Sequence, residues 1–424
     1  MRVFKFGGAS VKDANSVRNV GTIIQKFTDR PLVVVVSAMA KTTNALEAVV
    51  KAWVGGSPQA PQLFAEVIMF HRTICSQLFP TKNEVLEAFF IIQQQEVEEW
   101  LAQPAPAYGQ AYDQIVHRGE MLSTRIIAEY LRTQSLPTTW LDARKLVSTN
   151  DAHRRATVNW EETHEKINRA ISGLDVYVVQ GFIGSAPNGE PTTLGREGSD
   201  YTAAVFAHVL QATEVTIWKD VPGVLNGDPK VFQNTVQLEE ISYREAIELA
   251  YFGASVIHPK TIQPLQARNI PLYVRSFLNP DLPSTVIGRG LLLKPLVPCY
   301  IRKTEQALVS ISTRDLAFIV EAHLELIYAI FNKHGITVNT MQNSAISSSF
   351  CVNNDPILLP RAIEELSQHF DVKYNTGLHL FTIRHHNPEV RQALLNGREP
   401  LLEQITRETW QVVIGDEKTA RYEN

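Results

Sequence analysis

The chain has 424 residues, 44% hydrophobic and 20% charged, with a net charge of −4 at neutral pH. That length has room for two or three domains of ordinary globular composition, and the charge gives no reason to expect nucleic acid or an anionic membrane as a partner. Cys75, Cys299 and Cys351 lie far apart with no paired spacing, which speaks for buried thiols in a reducing compartment and against a disulfide framework. With no signal-peptide pattern and no apolar run of about 18 residues, the expected location is cytoplasmic.

The N-terminal MRVFKFGGAS predicts a strand over 3–6, a Gly7-Gly8 loop, and a helix with apolar positions at Val17, Val20, Ile24 and Phe27. Glycines there let the backbone approach a ligand closely, with Lys5 near a phosphate oxygen. A plain tight turn with a solvated lysine is the other reading, since this is neither a Walker A sequence nor a dinucleotide fingerprint. LVVVVSAMA is the continuous apolar run of a parallel strand buried on both faces, ending at Ser37. The hydroxyl-rich Lys41-Thr42-Thr43-Asn44 then leads into a helix.

Residues 45–136 are helical in character, with breaks at Gly55-Gly56-Ser57-Pro58, Pro80 and Pro104-Ala105-Pro106. Glu96, Glu98 and Glu99 read as a solvated helix face. In HRGEMLST, Gly119-Glu120 interrupts an otherwise amphipathic helix. A glycine there costs about 1 kcal/mol against alanine, so a packing or functional reason is expected. A strand near 138–141, a helix over 160–171 and a strand at 176 complete a βα alternation, the pattern of a three-layer sandwich around a mostly parallel sheet.

Residues 178–230 are the densest stretch. VYVVQGFIG is a strand stopped at glycines, and TTLGREGSDYTAAVFAHVL carries a Gly-rich loop into a helix with Ser199 or Asp200 at the N-cap position. VTIWKD and the loop VPGVLNGDPK follow. Two strand-to-loop junctions at one end of a sheet make a crevice, where ligands of open α/β sheets bind. Further on, His258 before Pro259 reads as a cap or packing residue. Pro280, Pro283, Pro295 and Pro298, with Gly288 and Gly290, mark a linker.

In order and spacing, KFGGAS, VVVSAMAKTTN, HRGE, VVQGFIG, TTLGREGSDYTA, WKDVPGVLNGDPK and FGASVIHP resemble the aspartokinases of the amino acid kinase family. The resemblance implies a three-layer α/β/α catalytic domain of amino acid kinase type over 1–293. Over 294–424 it implies an α+β, ACT-type regulatory region whose second unit is short. The implied reaction moves the γ-phosphoryl of ATP, with Mg²⁺ on the phosphates, to the side-chain carboxylate of L-aspartate, the first step toward lysine, threonine and methionine.

Carried over position by position, the resemblance makes Lys5 and Asp200 catalytic and assigns ATP to Lys5, Gly7, Gly8, Ser10, Lys219, Asp220, Leu225, Lys230 and Ser255. Ser37, Thr43, Glu120, Phe182, Arg196, Ser199 and Asp200 match substrate positions, with Arg196 gripping an aspartate carboxylate. Three departures stand out. Ala9 replaces a frequent threonine, Leu225 replaces a tyrosine near the base, and Ser255 stands where many members place a lysine against the phosphates. Lys219, in a position often threonine, or Lys230 or Lys260, is the expected substitute for that charge.

In the C-terminal region, ACT pairs imply a small amino-acid effector, lysine or threonine. It would sit at the loop over 312–318 (Asp315, Leu316) and along the next strand (Asn339, Gln342, Asn343, Ser344), with a homodimer formed through this region. From 387 onward the expectation is one helix over 399–406 and the strand WQVVIG, without a closing strand and helix. Two rival readings remain: another amino acid kinase, and a catalytically impaired effector-binding homologue.

Overall fold

The computed structural model describes residues 1–254 and 257–415, in two compact units. Residues 1–224, 237–247 and 257–293 form the first, and residues 225–236, 248–256 and 294–424 the second.

The first unit is built on an eight-stranded sheet. Its centre is β1 (Arg2–Phe6), flanked by β2 (Leu32–Val36), which continues to β4 (Val176–Gln180) and the edge strand β3 (Thr138–Leu141). On the other side β1 pairs with β5 (Glu214–Lys219), followed by Leu272–Ser276, Thr285–Gly288 and Glu240–Ser242. Every pairing is parallel except that of Leu272–Ser276 with Thr285–Gly288. Parallel strands must be covered on both faces, which is why all five residues of β2 are buried apolar. Phe4 and Phe6 point to one face, where Phe6 stacks on Trp218 at 5.9 Å and Phe4 meets its edge at 5.6 Å. With the two-residue period of a strand, Lys5 points to the opposite face.

The register decides where a site forms. Phe6 pairs with both Val36 and Trp218, and Val36 pairs with Gln180. Gly7, Ser37, Gly181 and Lys219 therefore all follow one row at the carboxyl edge of the central strands.

Helices Thr42–Val54, Ala60–Leu78, Glu84–Leu101, Tyr108–Val116 and Arg118–Thr133 stop at the expected Gly and Pro breaks. The HRGE interruption falls at His117 rather than at Gly119, so Glu120 lies in the first turn of a helix. Gly119 has a packing reason, since a Cβ there would lie 2.9 Å from the Ala38 Cβ. Glu96 is only half-exposed and pairs with the buried Arg118, which also donates to Gln93 Oε1 at 2.8 Å and lies over the Trp100 ring. A reading of Glu96 as merely solvated therefore does not hold.

The second unit carries an antiparallel six-stranded sheet in the order Val338–Asn343, Ser347–Asn353, Cys299–Ser312, Asp371–Arg384, Thr409–Gly415, Leu402–Ile405. Helices Glu321–Lys333 and Leu358–His369 cover the part around Val309, Ile311 and Phe350. The two 14-residue strands pair along their length with register slips between Lys303 and Leu308. Beyond the slips, residues 299–303 run beside 380–384 and share the half-sheet with Thr409–Gly415. The helix expected over 399–406 is instead the strand Leu402–Ile405, and a helix occupies Pro388–Leu395. Its signals are local: Asn387 caps the Val390 N–H at 2.8 Å, Pro388 opens the first turn, and Asn396 ends it in the left-handed region.

Among the described residues no disulfide joins the three cysteines, and burial pushes the Cys75 and Cys351 thiols up to about 12. Among the described residues no helix is long and apolar enough to cross a membrane.

Candidate active site

At the carboxyl edge of the central strands the first unit opens a cleft of about 900 Å³. Lys5, at the end of β1, extends into it, and its ammonium lies 2.5 Å from Asp200 Oδ1. Both side chains are largely buried. Asp200 comes from the helix Gly198–Leu210, whose N-cap is Glu197, at φ +52°, and not Ser199 or Asp200 as expected. Those two residues instead occupy the first turn, where the free N–H groups of a helix start favour an anion.

Glycine at 181 makes this junction possible. A Cβ there would lie 2.5 Å from the Ser199 Cβ, so only glycine lets the end of β4 pass so close to the helix. The next residue, Phe182, has φ +72° and donates its N–H to Thr202 Oγ1 at 2.9 Å. Non-glycine residues in that region persist where the surroundings over-determine them, often at functional sites.

The loop after β1 interlocks with the loop after β2: Ser37 N–H donates to Phe6 O, and Ala40 N–H donates to Gly8 O. Ser37 and Thr43 line the cleft. Gly7 and Gly8 form the turn beside Lys5, whereas the Ser10 hydroxyl turns inward to Trp218 O at 3.2 Å.

Glu120 is the most perturbed group in the cleft. Oε1 accepts the Ala38 N–H at 3.2 Å, while Oε2 is buried with no hydrogen-bond partner. Burial, opposed by that hydrogen bond and by the Lys5 charge, pushes its carboxyl up to about 8. A buried carboxyl that ionises readily only beside a cation suits an incoming ammonium group.

Arg196 and Lys219 complete the expected lining, and Asp220 follows Lys219 on the exposed side. Leu225 and Lys230 belong to the second unit's segment 225–236, where Lys230 is exposed and its N–H donates to Asp228 Oδ1 at 2.9 Å. Ser255 lies outside the described residues. Of the proposed substitute lysines, Lys219 lines the cleft. Lys260 instead donates to Leu194 O at 3.0 Å and lies over the Tyr201 ring, and burial lowers its pKa. His258 is the cap expected of it, accepting from Lys260 N–H at 3.2 Å.

Sequence reasoning missed Tyr112, His153, Arg154 and Arg155, which also line the cleft. The only available signal was the run AHRRA ahead of a helix, outside every motif.

Residues 1–276 match the amino acid kinase family. The chain is 31% identical over 397 residues to the lysine-sensitive aspartokinase 3 of Escherichia coli (strain K12), covering 90% of this chain and 86% of that protein. The chain belongs to the amino acid kinase family, among its aspartokinases. Aspartokinase 1, chloroplastic, of Arabidopsis thaliana is 30% identical over 381 residues, covering 87% of this chain and 66% of that protein. The crystal structure of E. coli aspartokinase III in complex with aspartate and ADP matches with a TM-score of 0.79 at 27% identity, over 98% of this chain and 96% of that one.

In the second unit of this aspartokinase-family chain, the expected effector positions fall into two places. Ile319 N–H donates to Ala345 O, and Thr313 N–H to Ile346 O, so the loop with Asp315 and Leu316 lies beside the turn with Asn343 and Ser344. Gln342 is exposed on the adjoining strand. Asn339, at the other end of that strand, accepts from Lys303 Nζ at 2.8 Å and donates to Gln306 and Asn353 at 2.7 Å. Four residue steps along the strand take it to Asn343, about 13 Å away.

Proposed function

We infer that this protein is an ATP-dependent aspartate kinase that forms 4-phospho-L-aspartate and ADP. The observation that carries the inference is the Lys5–Asp200 ion pair at a helix start, in one cleft with the buried Glu120 carboxyl and Arg196. The E. coli relative seen with aspartate and ADP supports it.

The nucleophile is the substrate's own side-chain carboxylate. With a pKa of about 3.9 it is ionised at neutral pH, so no general base is needed. The requirement is to bring two anions together and absorb the charge that develops on the transferring phosphoryl. Lys5 is assigned to that phosphoryl, with Asp200 holding its ammonium in place. Backbone N–H groups of Gly7, Gly8 and the Ser199 turn supply further donors, and Lys219 and Asp220 lie toward the nucleotide. The Glu120 carboxyl, beside Ser37 and Thr43, takes the substrate ammonium, and Arg196 takes a carboxylate.

Among the described residues there is no cluster of three or more metal-ligating side chains. Mg²⁺ carried on the ATP phosphates would have the Asp200 carboxylate in the same cleft. Bound there, it would neutralise phosphate charge.

Amino-acid feedback through the second unit, by lysine or threonine, is part of the proposal, as are a homodimer formed through that unit and a cytoplasmic location. Support for lysine comes from the lysine-sensitive E. coli relative.

The test is ADP release from purified protein with Mg-ATP and L-aspartate, L-glutamate or N-acetyl-L-glutamate, trapping acyl phosphate with hydroxylamine, with and without lysine and threonine. Aspartate-dependent hydroxamate is expected. No turnover with any acceptor despite ATP binding would overturn the assignment.

A further inference from the structure

His153, Arg154 and Arg155 line the cleft without belonging to any motif, and their turn is held from below by Asp113. That carboxylate, with no exposed side-chain surface, accepts from the Thr193 hydroxyl at 2.6 Å, the Arg154 N–H at 3.0 Å and His153 Nδ1 at 2.9 Å. Arg154 has φ +67°, in the left-handed region that a residue with a long side chain rarely adopts. Such a conformation is kept only where the surroundings enforce it, as Asp113 does here. The Arg154 guanidinium is itself engaged, lying 4.8 Å from the Tyr112 ring centre and 5.2 Å from that of Tyr108.

The enforced turn places Arg155 against Gly195, the residue before Arg196. A Cβ on Gly195 would stand 3.2 Å from Arg154 O and 3.9 Å from the Arg155 Cβ. Two arginines thus lie on neighbouring segments of one cleft. Among the described residues, neither guanidinium has a hydrogen-bond or ion-pair partner. Like charges gathered in this way repel, and an anion between them turns that cost into attraction. The planar fork of each group matches a carboxylate.

We propose that Arg155 is a second carboxylate-binding residue, which with Arg196 holds the α-carboxylate of the amino-acid acceptor, and that Asp113 is its positioning residue. This rests on the aspartate kinase assignment. There the side-chain carboxylate must meet the phosphoryl at Lys5 and the ammonium must meet Glu120, which leaves the α-carboxylate for the arginine pair.

The experiment is steady-state kinetics on wild type, Arg155→Ala, Arg155→Lys, Asp113→Asn and the Arg155→Ala/Asp113→Asn double variant. Loss of one charge-assisted contact at the cleft rim should raise KM for aspartate about tenfold in Arg155→Ala, with kcat and KM for ATP changed less than about twofold. Arg155→Lys should recover only part of the loss, because a point charge does not reproduce the fork. Asp113→Asn should raise KM for aspartate in the same way, and the double variant should be no worse than Arg155→Ala, whereas a merely structural Asp113 would add its own defect. If Asp113→Asn does not yield folded protein, the two Arg155 variants decide alone. An unchanged KM for aspartate in Arg155→Ala, or a rise in KM for ATP instead, would overturn the proposal. Absence of aspartate-dependent hydroxamate from the wild type would instead overturn the assignment beneath it.

Discussion

Replacing Glu120 by glutamine separates the electrostatics of this cleft from its shape. The carboxyl is buried and pushed from 4.5 up to about 8, so the folded chain keeps a proton that the unfolded chain gives up. Because the folded-state pKa is the higher one, the associated stability is fully present below pH 4.5 and lost as pH rises toward about 8. At 1.36 kcal/mol per pH unit the complete loss is about 5 kcal/mol, with about 3 kcal/mol already lost at pH 7. Glutamine is close in shape, keeps an oxygen for the Ala38 N–H, and carries no titrating proton. Urea unfolding of both proteins between about pH 5 and 8 should therefore show the stability difference moving in favour of Glu120→Gln by about 3 kcal/mol across that range. Ligand binding supplies the second readout. A substrate ammonium beside Glu120 favours its ionised form, so aspartate binding at pH 7 should release a proton from wild type. Calorimetry in buffers of different ionisation enthalpy measures that release. The variant should release none and show a KM for aspartate about ten to a hundredfold higher, with KM for ATP unchanged. Parallel stability curves for the two proteins across this range, or equal proton release, would refute the reasoning.

Lys5→Met should lower kcat by about two to three orders of magnitude. It should also destabilise the fold by about 3 to 5 kcal/mol, since it leaves the buried Asp200 carboxylate without its counter-charge. Adding Asp200→Asn should restore most of the stability and none of the turnover, and recovery of both would remove Lys5 from the chemistry. Lys219→Ala should raise KM for ATP about tenfold, as expected on losing a charge-assisted phosphate contact. Unchanged ATP affinity and turnover would exclude Lys219 as the replacement for the lysine that Ser255 lacks. Gly119→Ala would bring a Cβ to 2.9 Å from the Ala38 Cβ and 3.2 Å from Leu46 Cδ1. Overpacking of this kind costs about 1 to 3 kcal/mol. Tm should fall and KM for aspartate should rise, because the displaced loop carries Ser37 and leads to Thr43; a variant with both unchanged would show that the close approach does not matter.

Most of the site was legible because its pieces sit where local chemistry punctuates the chain. Lys5 stands at the end of an apolar strand before two glycines, and Gly181 and Gly198 bracket the approach of a strand to a helix start. Arg196 falls in the loop between them, and Asp200 in the first helical turn that follows. Secondary structure was less legible where two patterns compete. The helix cap went to Glu197 because the backbone there turns through the left-handed region, which no side-chain preference announces. The stretch over 399–406 has helix-compatible residues, yet it forms a strand because residues 410–413 offer it a ladder.

The sequence alone determined the alternation of strands and helices, the glycine positions that permit close approach, and the aspartokinase resemblance, because each is written in residues near one another along the chain. Only the tertiary structure decided three further things. It placed the Lys5 ammonium 2.5 Å from a carboxylate 195 positions away. It buried Glu120, which pushes its carboxyl up to about 8. And it used the buried Asp113 to hold the turn at Arg154 and Arg155 against Gly195. Charge strength and guanidinium direction depend on distance and burial, and both come from segments that meet only when the sheet has closed.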